Sequence, residues 1–206
     1  MDLYVQFGCG WSAPQEWLNF DASPTLVYEK IPVLGRLFTR NQDRFPANVK
    51  YGDIVAGLPV PEATCQGVYC SHVLEHLALR DARTALGNVF KLLKPGGVFR
   101  MVLPDLEYAL ECYRADASAD AAMNFLRQTG LGRETRPRSL AAFTQAWLGN
   151  SQHLWMWDYK SLQAELEACG FTGVRRAALG DAPHAMFTLV EEPGRWENCL
   201  GIECRR

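Results

Sequence analysis

Val5-Gln6-Phe7-Gly8-Cys9-Gly10, followed after one short hop by Trp17-Leu18-Asn19-Phe20-Asp21, decides how this chain folds. Leu3 to Phe7 is a compact apolar run that ends in a glycine turn, and the second run ends in an acid. A strand feeding Gly-x-Gly lets a ligand come close to the backbone, because a β-carbon there would collide with it. An acid at the end of the following strand suits ribose hydroxyls, and it equally suits capping a turn. Spacing excludes one ligand class. A dinucleotide site needs a third glycine, a helix whose N-terminus holds the pyrophosphate, and an acid about 20 residues on. Asp21 lies only 11 positions beyond Gly10, with Pro14 between them, so that helix has no room. A nucleoside cofactor without phosphates loses nothing by its absence.

Working outward, short apolar runs alternate with helical stretches, the pattern of an α/β sheet. Residues 24 to 48 hold Pro24, Pro32, Gly35 and Pro46 and read as a loop with one helix around Val33 to Phe38. Val49 to Tyr51 leads into Gly52-Asp53, and Gly67 to Cys70 forms the fourth strand. From Asp81 a helix presents Ala82, Leu86, Val89, Phe90 and Leu93 on one face and stops at Lys94-Pro95-Gly96-Gly97. Val98 to Leu103 is the fifth strand, closed by Pro104-Asp105. The stretch 106 to 148 is helical by composition, broken by Gly130, Gly132 and the basic loop Arg133 to Arg138. A helix over Ser161 to Cys169, a strand near Val174 to Ala178 and a last strand over Asn198 to Cys204 complete the set.

Composition fits one soluble domain spanning 1–206: 206 residues, 48% hydrophobic and 21% charged, which excludes disorder and collagen-like repetition. With 21 basic against 23 acidic residues the net charge is −2, so no large positive field gathers phosphates and no nucleic-acid partner is expected. No apolar run approaches the ~20 residues that span a bilayer, so no membrane insertion is expected. Met1-Asp2-Leu3-Tyr4-Val5 carries no basic leader. The seven cysteines are an odd number and point to a reducing compartment, the cytoplasm by default.

The glycine turn, Asp21, Gly52-Asp53-Ile54, Ser71-His72-Val73-Leu74-Glu75-His76-Leu77 and Leu93-Lys94-Pro95-Gly96-Gly97 together resemble the class I S-adenosylmethionine-dependent methyltransferases. More closely, the chain is similar to a small bacterial subgroup of the type 11 methyltransferases. The resemblance covers residues 3 to 107, with a weaker echo over His153 to Phe171 and Cys199 to Cys204. It implies a mostly parallel, Rossmann-like sheet with helices on both faces, an abbreviated first crossover and a helical insertion at about 106–148. It also implies S-adenosylmethionine as cofactor. Gly8, Cys9 and Gly10 would line its methionine half, and Asp21 would bind the ribose. Asp53 would take the adenine amino group with the Ile54 N–H facing the ring, and Ser71 and His72 would sit beside the sulfonium.

Methyl transfer asks chiefly for alignment, plus a base where the nucleophile is a hydroxyl. His153, in Ser151-Gln152-His153-Leu154-Trp155-Met156-Trp157-Asp158, and Asp105, after the fifth strand, are the candidate catalytic residues. Both have structural readings, His153 packed among Trp155, Trp157 and Tyr159, and Asp105 as a helix N-cap. His184 reads as a solvated loop residue. The fourth strand ends in Cys-Ser-His, without the Asn/Asp-Pro-Pro-Tyr/Phe signature of many amino-methyltransferases of nucleic-acid bases, which favours an oxygen or other small-molecule acceptor. The resemblance to enzymes of surface-polysaccharide or small-metabolite modification implies a glycan hydroxyl as one such acceptor. Arg127, Arg133, Arg136 and Arg138 could meet an anionic group there, or form a solvated loop. Two rival readings stand beside this one: a cofactor-binding protein without turnover, and a zinc hydrolase using His72, Glu75 and His76 on one helix face. For the latter no third ligand is nominated by the sequence.

Overall fold

The computed structural model describes residues 2–31, 43–139 and 152–206. Seven strands form one sheet in the order β3-β2-β1-β4-β5-β7-β6. They are β1 (Leu3–Phe7), β2 (Leu18–Asp21), β3 (Val49–Tyr51), β4 (Cys65–Ser71), β5 (Leu93–Pro104), β6 (Thr172–Arg176) and β7 (Cys199–Arg205). All neighbours pair parallel except β7, which runs antiparallel between β5 and β6. The described helices are α1 (Pro24–Glu29), α2 (Leu79–Leu92), α3 (Leu106–Ala115), α4 (Ala121–Gln128), α5 (Tyr159–Ala168) and the single turn α6 (Pro193–Trp196). None is long and apolar enough to cross a membrane.

One face of the sheet carries the main core. Val5 and Phe7 of β1, Val68 and Cys70 of β4, Phe99 and Met101 of β5 and Ile202 of β7 pack there with Leu86 and Val89 of α2 and Leu162 and Leu166 of α5. The three-and-four spacing read in α2 is thus its buried stripe. α5 begins in a capping box in which Asp158 accepts from the Ser161 N–H at 2.8 Å.

The other face is built differently, because β1 returns to β2 without a helix. The ten residues 8–17 hold only turns and irregular backbone, and two buried side chains satisfy their polar groups. Gln6, 2% exposed, donates to Ser12 O at 2.7 Å and to Asn19 Oδ1 at 2.6 Å. Asn19, 1% exposed and directly opposite Gln6 in the register, donates to Pro14 O at 2.9 Å and Trp17 O at 3.0 Å. Where a crossover helix would lie, a segment from the far end of the chain covers the sheet. The 3-10 turn Ala185–Leu189 places Phe187 against Tyr4, Trp17 and Tyr69, and Trp17 Nε1 donates to Met186 O at 3.1 Å. Full-length helices α2 and α5 thus pack on one face, and the 3-10 turn Ala185–Leu189 covers the aromatic cluster on the other.

Several boundaries differ from the sequence reading. α1 was not foreseen in the proline-rich stretch, although Ser23 caps it and Pro24 starts it. The helix expected around Val33 to Phe38 lies outside the described residues. α2 ends at Leu92, and β5 begins there, pairing Leu93 with Cys65 before Lys94 to Gly97 loop out and Val98 rejoins Gly67. The 106–148 stretch forms two helices and then irregular chain over 129–139; its remainder lies outside the described residues. His184, expected in solvent, is half-buried, its Nε2 2.9 Å from Gln66 Nε2 and its ring edge-on to Tyr4.

The crossover network yields a measurable expectation. Asn19→Leu keeps the volume but strands the Pro14 and Trp17 carbonyls and one Gln6 hydrogen, a loss of roughly 2–4 kcal/mol. Urea unfolding should show a lower midpoint at unchanged slope; a midpoint equal to wild type would deny the network its structural weight.

Candidate active site at the strand ends

The carboxyl ends of β1, β2, β3, β4 and β5 bring Gly8-Cys9-Gly10, Asp21, Asp53, Ser71-His72 and Asp105 to one edge of the sheet. The two glycines differ in what they permit. Both have left-handed backbone, φ +63° at Gly8 and +55° at Gly10. A β-carbon on Gly8 would run into Val73 Cγ2, so its space is filled by the protein itself. At Gly10 nothing lies within 4 Å of that position, which leaves it open to a ligand. Cys9 between them turns its side chain inward against Leu26 and Val49, and burial, with the nearby Asp21 carboxylate, pushes its thiol up to about 12. Only its backbone can face a ligand.

Asp21 ties this corner together. Its Oδ2 accepts the Gly10 N–H at 2.9 Å and its Oδ1 the Ser23 N–H at 2.7 Å, while its own carbonyl accepts from Gly52 N at 3.1 Å. The acid thus caps the glycine turn, and each oxygen keeps a further lone pair. Asp53 uses one oxygen to hold the Val55 N–H at 2.8 Å. Ile54 buries its side chain in the main core and gives its carbonyl to Asn88 Nδ2 at 2.8 Å, leaving its N–H as the group it can offer.

Past β4 the chain makes a strained turn. His72 has φ +54°, an uncommon conformation for a residue with a β-carbon. Its N–H donates to Val102 O at 2.9 Å, its Nε2 stands 3.0 Å from Arg195 O and 3.8 Å from Cys199 Sγ, and its Nδ1 stands 3.2 Å from Glu75 Oε1. Burial opposes a charge on this ring, but the Cys199 thiol, the Glu75 carboxylate and the Arg195 carbonyl outweigh it and raise the pKa to about 10. His72 is therefore an imidazolium at neutral pH, its Nε2 donating to the Arg195 carbonyl and its Nδ1 ion-paired with Glu75. Arg195 Nη1 lies 3.4 Å from Ser71 Oγ, so the strand end is roofed by α6. Sequence reasoning missed Arg195 and Cys199, which sit beside no recognisable motif.

Leu74–His76 forms a 3-10 turn, not the α-helix that a His-x-x-Glu-His zinc site requires. The two imidazoles of that pattern diverge, His72 to Arg195 O and His76 Nδ1 to Gln152 O at 3.1 Å. His153 comes to His76 instead, ring centroids 4.9 Å apart and edge to face. Its Nδ1 is 2.7 Å from Thr129 O, and Gly130 admits the ring, since a β-carbon there would stand 2.8 Å from Nδ1. His153 is thus clamped from the end of α4.

Asp105 is not joined to His153. Its Oδ1 caps α3 through the Glu107 N–H at 2.9 Å, its Oδ2 is 3.5 Å from Arg176 Nη1, and its backbone bridges to Trp157. Arg127, Arg133, Arg136 and Arg138 are exposed, the first paired with Glu134 and the second with Gln152.

Known proteins agree with this architecture. The archaeal Archaeoglobus fulgidus SAM-dependent methyltransferase matches at a TM-score of 0.52 with 14% identity, covering 100% of this chain and 86% of its own. A Thermotoga maritima SAM-dependent methyltransferase, described as a possible histamine N-methyltransferase, gives 0.51 at 13% identity and covers 100% and 82%. PigF with SAH gives 0.51 at 12% identity, covering 100% of this chain and 50% of PigF. No curated protein matches the chain significantly. A family model described as a methyltransferase domain matches residues 9–176. On that match the chain belongs to the methyltransferase domain family, and its sheet has the fold of the class I S-adenosylmethionine-dependent methyltransferases.

Proposed function

We propose that this chain transfers the methyl group of S-adenosylmethionine to a hydroxyl of a small-molecule or glycan acceptor. The observation that carries the reading is the open approach at Gly10 beside a carboxylate held by two backbone N–H groups at the next strand end. The methionine half would lie along the backbone of Gly8, Cys9 and Gly10, with the ribose on the remaining lone pairs of Asp21. The adenine would reach Asp53 and the Ile54 N–H, and the sulfonium would face Ser71 and His72. PigF, solved with SAH, has the same fold. The dipole of a first crossover helix is missing, and a cofactor without a diphosphate does not require one.

When bound, the cofactor would supply a methyl carbon whose bond to the sulfonium sulfur breaks, the electron pair going to sulfur, as the acceptor oxygen bonds to it; the acceptor's hydroxyl proton would pass to a base of this chain. Alignment at about 3–3.5 Å supplies most of the rate. His153 is the base assigned here. The Thr129 carbonyl can only accept, so Nδ1 carries the ring proton and Nε2 keeps a lone pair. Asp105 holds the start of α3 and Arg176 and acts as a positioning residue. The Cys-Ser-His end of β4 supports oxygen as the acceptor atom, and the exposed arginines of the 127–138 stretch support an acceptor bearing an anionic group.

Calorimetry should show S-adenosylmethionine or its demethylated product binding at about micromolar strength (around −8 kcal/mol). Asp21→Ala should weaken binding at least tenfold. Because Asp21 also holds the turn, Asp53→Asn, which keeps an acceptor for the Val55 N–H, serves as a second variant and should weaken binding with melting temperature preserved. No heat with either ligand would remove the reading.

A second expectation concerns the two halves of the site. His153→Ala should leave cofactor affinity within about twofold and slow transfer by roughly 10²–10⁴. An unchanged transfer rate would clear His153 of any catalytic part.

A further inference from the structure

We propose that Glu75, His76 and His153 bind one divalent ion of the zinc type. One ligand atom from each lies within 4.8 Å of the other two, in a group assembled from the turn after β4 and the chain entering α5. Two observations lift the group above a chance meeting of polar side chains.

The first is Glu75. It is 0% exposed, and neither carboxylate oxygen has a hydrogen-bond partner among the described residues. His72 Nδ1 stands 3.2 Å from Oε1, an ion-pair distance out of line for a hydrogen bond, and among the described residues no cation stands beside Oε2. The His72 imidazolium balances the charge on the Oε1 side alone; Oε2, buried without a partner among the described residues, remains a destabilising deficit that a cation on its open side removes. The turn itself is fixed, because the Glu75 carbonyl accepts from Leu154 N at 2.7 Å and Trp155 N at 3.2 Å.

The second is the orientation of both imidazoles. His76 Nδ1 faces Gln152 O and His153 Nδ1 faces Thr129 O, at 3.1 and 2.7 Å. Carbonyl oxygens only accept, so both Nδ1 atoms carry the proton and both Nε2 atoms present lone pairs. Ligating histidines are held in just this way, by a backbone carbonyl on the other nitrogen. Two imidazoles and one carboxylate suit zinc and its first-row neighbours better than magnesium or calcium, which prefer oxygen alone. Zinc–nitrogen bonds of about 2.0–2.1 Å put tetrahedral donors roughly 3.3 Å apart. The group must therefore draw in by about 1.5 Å, a movement open to the half-buried imidazoles more than to Glu75.

Three protein donors leave a position for water or an acceptor oxygen. With the ion bound, His153 becomes a ligand, and activation of the acceptor passes to the ion. His72 is no part of this site, which separates it from the His-x-x-Glu-His pattern. The inference stands apart from the methyltransferase reading, since metal content is measured without cofactor or acceptor.

Untagged protein stripped with a chelator, then loaded with zinc or cobalt(II) and desalted, should retain about one equivalent by elemental analysis. The cobalt form should show visible ligand-field bands of a low-coordinate site. His76→Ala and His153→Ala should each lose affinity by more than about tenfold, with circular dichroism confirming that they fold, and His72→Gln should bind as wild type. Wild-type retention below about a tenth of an equivalent would overturn the proposal. So would stoichiometric metal kept by both alanine variants, or lost in His72→Gln alone.

Discussion

A parallel strand pair needs a crossover whose backbone donors and acceptors are met somewhere, and between β1 and β2 two buried amide side chains meet them. A helix would satisfy its own backbone; ten residues of turn cannot. Gln6 and Asn19 stand opposite each other in the register, on the face away from the main core, and take up the carbonyls of Ser12, Pro14 and Trp17. Neither amide tolerates an apolar replacement, because a buried carbonyl left alone costs more than a hydrogen bond returns. This arrangement has two consequences. The sheet face lacks a helix to cover it, and the glycine turn lacks a helix N-terminus to fix it. The 177–198 segment answers the first, and the Asp21 carboxylate answers the second.

The covering segment is held by charge as well as by aromatic packing. Arg100, 0% exposed on β5, contacts Glu191, Asp181 and its cross-strand neighbour Glu203, donates to Ala178 O at 2.6 Å, and stacks on Trp196. Such a group contributes less net stability than its contacts suggest, since several ions have left water to form it. Its effect lies in placement. With Arg100 in the sheet, only one position of the segment satisfies the guanidinium, and Phe187 then falls between Tyr4, Trp17 and Tyr69. Gly201 on β7 completes the fit, because a β-carbon there would strike the Trp196 ring.

The strand ends were legible in the sequence because each couples an apolar run to a breaker: Phe7 to Gly8, Phe20 to Asp21, Tyr51 to Gly52 and Leu103 to Pro104. The stripe of α2 was legible for the same local reason, its period. The covering segment was not, since Met186, Phe187, Val190 and Trp196 follow neither a helical nor a strand period and are fixed by partners far away in the chain. α1 left a readable trace in Ser23-Pro24 that the prolines around it obscured. In the site, the order of the strand-end residues could be read, and Cys9 and Asp105 show the limit of that reading. Position at a strand end does not tell whether a side chain points at the cleft or, like the Cys9 thiol, into the core. His76 and His153 meet through contacts between distant segments, the clamp at Thr129 and Gly130 and the bonds of the 75–76 turn to residues 152–155, that no local pattern encodes.

The segment that replaces the missing helix also reaches the chemistry. Beyond Trp196 and Arg195 it arrives at Ser71, His72 and Cys199, so the roof over the β4 end and the cover of the second sheet face are one piece of chain. His72 keeps its left-handed backbone only while the Arg195 carbonyl and the Val102 carbonyl both hold it. Strain of this kind, of order 1–3 kcal/mol, persists where surrounding contacts over-determine it. Here those contacts depend on the position that Arg100 and Phe187 impose. In a fold with a full crossover helix, covering the sheet and shaping the strand end could be left to separate elements. In this chain the shortened crossover makes them one, so a change that loosens Phe187 or Arg100 acts on the geometry at His72 as well as on stability.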